Sequence, residues 1–456
     1  MRSAKTILCA STLALFVGAA AAAQSTSQPT VYIHAGALLD RPGQTPRGAS
    51  TIIVRGGRIE AVRDELVAAE SGAKLVDLSQ QFVLPGLIDL HVHLFEDSDR
   101  LRSRLEQNNR DSEDALLVGV DNARRTLEAG FTTVRDLGAV SSFDASMRTI
   151  AALRDAIAAG SLPGPTIFAA GRIISITGGH GDFANNTNRE ITAAFRASAT
   201  SVCNGADDCR RAVREQISQG ADVIKFAATG GVLSNITGGL KQHMFADEMQ
   251  AIVDTAHLFG RKVAAHAHAV EGIKAALEAG ADSIEHGTFS DAQTNAQFNR
   301  SGAWLVPTLA VGRAGIAHVR AGVTSGATSK AVLDKAEAAV AVHSSNVRAA
   351  IRDGVKIAFG TDSGVADHGK NAEEFSLLVQ AGMTPAAAIR AATLDAAAAL
   401  GRADQLGSIE PGKDADIIAV AASPLNDVTE LTRIRFVMRR GVVHKLNGAR
   451  QAFPVE

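Results

Sequence analysis

The sequence predicts an α/β fold: a (β/α)8 TIM barrel with a small β-sandwich domain formed by both termini. Three observations carry that prediction. In the middle of the chain a helical segment closes on glycine and a β-rich stretch follows within a few residues. This unit recurs as LEAG–FTTVRDLG, ISQG–ADVIKFAATG, HLFG–RKVAAHAH, LEAG–ADSIEHG, NRSG–AWLVPTL and IRDG–VKIAFGTD. Eight strands alternating with helices can be counted, as a barrel requires. β-rich segments without helical period lie before and after them. An open doubly wound sheet is the alternative. No GxGxxG follows the first strand, and ionisable residues gather at the C-terminal ends of many strands, which favours the barrel.

Composition sets the outer bounds. The chain has 456 residues, 46% hydrophobic and 21% charged, which is ample for a large core. A net charge of −2 gives no basic footprint for nucleic acid or an anionic membrane surface. Residues 1–23 stand apart: Arg2 and Lys5 precede an apolar, Ala-rich run that ends in Ala21-Ala22-Ala23. This reads as a cleavable signal peptide, so we expect a periplasmic or secreted protein with no membrane insertion after cleavage. An uncleaved anchor is the alternative, but the run is short and no other segment would span a bilayer. Export would permit a disulfide between Cys203 and Cys209, whose Asn204-Gly205 favours a turn; two inert thiols are the other reading.

Taken in order, residues 24–84 form the first part of the β-sandwich domain. Strands are expected over 31–39, 50–62 and 73–83, with a hairpin turn at Arg55-Gly56-Gly57-Arg58 and a short helix near 66–71. Residues 85–402 form the barrel, with strands over 86–93, 132–138, 166–171, 223–229, 263–268, 283–287, 304–309 and 355–362. Gly130, Gly220, Gly260, Gly280, Gly302 and Gly354 occupy the left-handed position just past a helix. Leu116, Leu117, Val120, Ala123 and Leu127 show the helical spacing of one such segment. After helices over 384–400, residues 403–456 return to strands, in GSIEPGKDADIIAV and again over 436–445. These complete the β-sandwich domain.

The strand ends carry the chemistry. Alternation along a strand puts His91 and His93 on one face. Strand four brings Lys225, strand five His266 and His268, strand six His286 and strand eight Asp362. An isolated HxH is more often core than ligand, and a lone strand-end His proves nothing. A lysine in a buried-looking strand is costly unless paired or modified. Five imidazoles, an amine and a carboxylate converging on one barrel mouth point to a metal site.

PGLIDLHVH, the strand-four lysine, the histidines of strands five and six, GTDS and the closing EPGKDADIIAV resemble the metal-dependent amidohydrolase superfamily, over essentially the whole chain after the leader. IKFAATGGV, the GGHGD loop and AAHAH…IEHG resemble more closely a branch of exported or membrane-associated dipeptidases. That branch cleaves Xaa-Pro or Xaa-Arg/Lys peptides and includes enzymes that hydrolyse the amide of ochratoxin A. The resemblance implies two divalent metals, most simply Zn²⁺, with Mn²⁺ or Co²⁺ possible. By it, His91 and His93 hold the first metal, Lys225 bridges both as its CO₂ adduct, and His266 and His286 hold the second. Asp362 ligates the first and handles the proton of a bridging hydroxide; His268 matches no ligand position and stands behind the ligands. It also implies a homo-oligomer, of which an octamer is the expectation.

Substrate contacts are less specified. His180 in GGHGD would donate to the carbonyl or grip the substrate. The loop 230–245 carries Asn235, Lys241 and His243, and a cation there would hold a substrate carboxylate. A pocket for Arg or Lys would want an acid such as Asp182, Asp367 or Glu373; an apolar pocket for Pro or Phe is equally open. His34, His257, His318, His343, His368 and His444 read as surface or structural. The leading expectation is an exported amidohydrolase acting on a dipeptide or N-acyl amino acid. Its alternatives are a mononuclear cyclic-amide hydrolase or deaminase of imidazolonepropionase type, and a metal-free binding scaffold. Lys225 and the leader argue against the first, and the full ligand set argues against the second.

Overall fold

The computed structural model describes residues 29–96, 98, 111–138, 147–185, 187–198, 200–236, 238–326 and 328–453. The expected signal peptide lies outside them. The chain opens with β1 (Val31–Leu38), β2 (Ser50–Arg55), β3 (Arg58–Arg63) and β4 (Lys74–Pro85). β2 and β3 form the expected hairpin, and Gly56 and Gly57 supply its two positive φ angles, 57° and 77°. The short helix expected near 66–71 is absent. That backbone is captured by the neighbouring sheet instead: Thr51 Oγ1 donates to the Glu65 carbonyl and accepts from Val67 N, and His34 reaches the Val67 carbonyl.

Next come β5 (Leu87–Val92), α1 (Ser112–Glu128), β6 (Phe131–Asp136), α2 (Met147–Ala158), β7 (Thr166–Ala169), α3 (Arg189–Ser198), α4 (Ala206–Ser218) and β8 (Val223–Ala227). They are followed by α5 (Ala246–Leu258), β9 (Lys262–Ala267), α6 (Val270–Glu278), β10 (Ser283–His286), α7 (Ala292–Ser301) and β11 (Trp304–Val306). Then come α8 (Leu309–Thr324), α9 (Lys330–Arg352), α10 (Glu373–Gln380), α11 (Pro385–Ala391) and α12 (Leu394–Ala399). The chain ends with β12 (Ile417–Val420), β13 (Phe436–Arg439), β14 (Val442–Leu446) and β15 (Ala449–Arg450).

Strands from both termini share one eight-stranded sheet, ordered β15-β14-β13-β12-β4-β1-β2-β3. The crossing point is the antiparallel pair of β4 and β12, with Ile417 opposite Pro85. Further along, Ile59 N donates to the Lys413 carbonyl and Ala415 N to the Gly57 carbonyl, so the sheet folds over itself. Ile33, Ile52, Val83, Ile417, Phe436 and Met438 pack between its two halves.

The middle of the chain forms two parallel sheets, β5-β6-β7 and β8-β9-β10-β11. β5, β6, β8 and β10 are buried from end to end, as expected where helices cover the outer face. Isolated parallel bridges join what the two sheets leave open: Ile174 with Phe226, Leu305 with Ile357, and Val92 with Ser363. The stretch expected as the eighth strand, 355–362, makes such bridges rather than a continuous ladder. Phe359 still accepts from Leu90 N and Asp362 N donates to the His91 carbonyl, so this segment lies beside β5.

Cys203 and Cys209 form a disulfide at the start of α4, with their Cα atoms 4.9 Å apart. No helix among the described residues is long and apolar enough to cross a membrane.

Candidate metal centre

β5 delivers His91 and His93 to one side of the strand end, their ring centroids 5.3 Å apart. Each ring has one nitrogen fixed by the protein. His91 Nδ1 donates to Glu285 Oε2 at 2.9 Å, and His93 Nδ1 donates to the Gly138 carbonyl. The Nε2 atoms therefore turn toward Asp362, whose Oδ1 lies 3.6 Å from that of His91 and 3.1 Å from that of His93. The same arrangement holds elsewhere: His286 Nδ1 shares a hydrogen bond with Thr308 Oγ1 at 2.7 Å, and His268 Nδ1 shares one with Thr288 Oγ1 at 2.8 Å. Fixing one ring nitrogen orients the other, which is how proteins aim imidazole ligands. His266 packs between its neighbours, 4.6 Å from His268 and 4.8 Å from His286 between ring centroids.

Among the described residues, two groups bring one donor atom from each member within 4.8 Å of the others: His266, His268 and His286; and His91, His286 and Asp362. His268 lies within the first of these groups, beside the expected ligands His266 and His286. The Lys225 side chain is buried among these residues and its Nζ has no hydrogen-bond partner. An unbonded amine there is costly as an ammonium, so the site calls for a group that the amine can engage. The donor set of imidazoles, carboxylate and amine fits divalent cations of the Zn²⁺ type.

Backbone strain helps gather these groups. His286, Thr308 and Asp362 have φ angles of 71°, 52° and 59°, left-handed values that non-glycine residues rarely adopt. All three lie at or just past the C-terminal end of a strand segment. Alternation would send Glu285 and His286 to opposite faces; the turn at His286 lets both serve one site.

The electrostatics are dominated by burial. Burial lowers His91 to about 4, helped by the Lys225 charge and opposed by Asp362 and Glu285. It also holds His266, His268 and His286 well below the ordinary histidine range, leaving their lone pairs free. Lys225 falls to about 8 through burial, with Arg135 adding to that and Glu285 and Asp362 opposing. Burial works against ionising Asp362, yet His91, His93 and Lys225 hold its carboxyl at about 2.

Several residues support the site without having been singled out in the sequence. Glu285 is fully buried between His91 and Arg135, whose Nη2 donates to its Oε1 at 2.7 Å. Arg135 also donates to the Leu90 carbonyl and to Ser283 Oγ, tying β6 to β5 and β10. Asp89 accepts from Thr361 Oγ1 at 2.6 Å and Asn371 Nδ2 at 2.8 Å, which steadies the turn before Asp362. His343 and His368, expected to lack functional partners, are buried and donate to the carbonyls of His286 (3.0 Å) and His93 (3.1 Å). The available signals were Asp89, a carboxylate inside the apolar LIDLHV strand, and Glu285 beside His286.

A cavity of about 530 Å³ opens above these residues. His180, Ser234 and Asn235 line it. Lys241 and His243 do not line it, which corrects the expectation that they grip a substrate carboxylate. The reason is local: the chain after β8 doubles back, with Gly230 N bonded to the Lys241 carbonyl and His243 N to the Ala228 carbonyl. This turns Lys241 to solvent and packs His243 against Gly230 and Gly238. Asp182 spends its carboxylate on Gly178 N and Ala184 N, Asp367 pairs with Lys370, and Glu373 is exposed. The outer wall of the cavity is apolar, with Ile173, Phe183, Phe195, Leu233, Ile316 and Val319.

Comparison with known proteins places this geometry. The amidohydrolase family matches residues 82–444. Ochratoxinase of Aspergillus niger is 31% identical over 426 residues, which cover 89% of this chain and 84% of that protein. A solved Xaa-Pro dipeptidase with methionine bound in its active site superposes with a TM-score of 0.83 at 35% identity, covering 91% of this chain and 100% of that one. Imidazolonepropionase of Deinococcus radiodurans is more distant, 25% identical over 392 residues, which cover 83% of this chain and 87% of that protein. The chain belongs to the amidohydrolase family and is a hydrolase.

Proposed function

We propose that this chain is a binuclear metal-dependent amidohydrolase that cleaves the amide bond of dipeptides or N-acyl amino acids with apolar substituents, ochratoxin A among the candidate substrates. One observation carries the reading: His91, His93, Lys225, His266, His286 and Asp362 converge on the floor of one cavity, with the Lys225 amine buried and unbonded. In this reading the eight strand segments close into one barrel, supported by the bridges between 174 and 226, 305 and 357, and 92 and 363.

Lys225, carboxylated by CO₂, would offer two oxygens and bridge two cations, with His91, His93 and Asp362 on one and His266 and His286 on the other. When bound, the metals supply an activated water and a Lewis acid for the amide carbonyl. The chain's own residues do the rest. The Lys225 amine, held near 8 by burial, is available as the free base that reacts with CO₂. Asp362 accepts a proton at its carboxylate and returns it to the leaving nitrogen. His180, at the cavity wall beside His266, donates to the carbonyl oxygen. The largely apolar outer wall supports Pro- or Phe-type substrates over Arg- or Lys-type ones; Glu96 and Asp182, which also line the cavity, are the acids that an Arg or Lys side chain would have to meet. Export is part of the proposal; the basic and apolar start of the sequence and the Cys203–Cys209 disulfide both support it.

The test is a panel of dipeptides and N-acyl amino acids, with Xaa-Pro, Xaa-Arg and acyl-Phe members. Hydrolysis confined to the apolar members is expected. Turnover of a cyclic amide or an amino-heterocycle alone would overturn the reading.

A further inference from the structure

His180 sits against a short loop, 231–236, that follows β8. Three contacts fix its ring. It stacks on His266 with centroids 4.2 Å apart. Its Nδ1 shares a hydrogen bond with Ser234 Oγ at 2.5 Å. It also presses on the backbone of Gly231, where an added Cβ would stand 2.3 Å from His180 Cε1. Two of these contacts come from the loop, so the loop contributes to the placement of His180.

The loop is tied from outside. Lys335, in the first half of α9, donates from Nζ to the Gly231 carbonyl at 3.0 Å and to the Ser234 carbonyl. Leu233 packs against a cluster formed by Val319 of α8 with Val332 and Ala336 of α9. Farther along that helical face, His343 donates to the His286 carbonyl at 3.0 Å and Asn346 to the Thr288 carbonyl at 2.9 Å. One helix therefore spans the cavity and grips the loops after β8 and after β10. An ammonium can serve two carbonyls at once, and here the two carbonyls belong to Gly231 and Ser234, the loop residues that touch His180.

We propose that Lys335 is a positioning residue: by gathering the Gly231 and Ser234 carbonyls it holds the loop that sets His180 against His266. The role of His180 in turnover rests on the function proposed above; its placement by Lys335 does not. The two are separated by measuring both placement and turnover in the full-length protein.

His180 is the only histidine between Arg172 and Arg189, so its modification by diethyl pyrocarbonate can be followed on a single tryptic peptide. In Lys335→Met, His180 should be modified several-fold faster than in the wild type, and Lys335→Arg should restore the slow rate. On a hydrolysed dipeptide or N-acyl amino acid, Lys335→Met should lower kcat about tenfold with metal content unchanged, and should cost nothing further in a His180→Ala background. An unchanged modification rate in a folded Lys335→Met protein overturns the proposal, whatever the substrate. So do fully additive losses in the double variant, which would mark Lys335 as merely structural. If the wild type hydrolyses no amide, the proposed function fails and the modification rates alone decide this inference.

Discussion

Glu285 is not among the residues that line the cavity above the histidines, yet it holds the site in register. Its carboxylate accepts from His91 Nδ1 and Arg135 Nη2, and both of its neighbours are buried. Such a partner fixes the ring orientation of a metal-binding imidazole, and its loss typically costs roughly 10–100-fold in metal affinity or activity. We expect Glu285→Gln to weaken metal retention within that range, read by titrating the protein with a chelator; wild-type retention would remove Glu285 from the account. At this scale the sequence points out the candidate ligands but not the partners that hold them. HVH, HAH, IEHG and GTDS announce themselves because imidazoles and a carboxylate at strand ends need a reason. Arg135 and Glu285 stand 150 residues apart, and nothing local says that one meets the other. Lys241 and His243 were misread because their direction depends on the chain doubling back after β8, a tertiary event that composition does not show.

Strands β5, β6 and β10 depend on one another through Arg135. Its guanidinium bonds the Leu90 carbonyl, Ser283 Oγ and Glu285, joining strands that are not all neighbours in one ladder. Removing one partner of a buried pair leaves an uncompensated charge, at a cost of about 3–5 kcal/mol. Arg135→Met should lose stability in that range by denaturant unfolding, and the double variant Arg135→Met/Glu285→Gln should regain part of it; a loss below about 1 kcal/mol would contradict this. The elements were largely legible from helix-closing glycines and the strand pattern. The exceptions have physical causes. The 66–71 segment lost its helix to side chains of β1 and β2, and the segment before Asp362 bridges its neighbours without laddering.

For the whole molecule, the termini form one folded-over sheet against which the catalytic region packs, and its stability should report pH. His444 on β14 is held near 4 by burial, with Arg439 adding to that and Glu128 opposing. An unfolded histidine titrates near 6.5. Between those values the unfolded chain binds the extra proton, so stability rises with pH from 4 to 6.5 and acid removes it. His444→Gln should flatten that slope by up to about 3 kcal/mol over the window, measured by urea unfolding at several pH values. A wild-type-to-variant difference independent of pH would contradict it. The family was legible because its motifs span the chain; the α9 clamp and the apolar outer wall were not, because they arise from helices whose spacing reads as ordinary amphipathic pattern. The most direct test of the central claim is metal content per chain of the purified protein beside Lys225→Ala. The account predicts about two metals in the wild type, at most about one in the variant, and hydrolysis lost with the metal. One metal in both proteins, with activity retained in the variant, would contradict it.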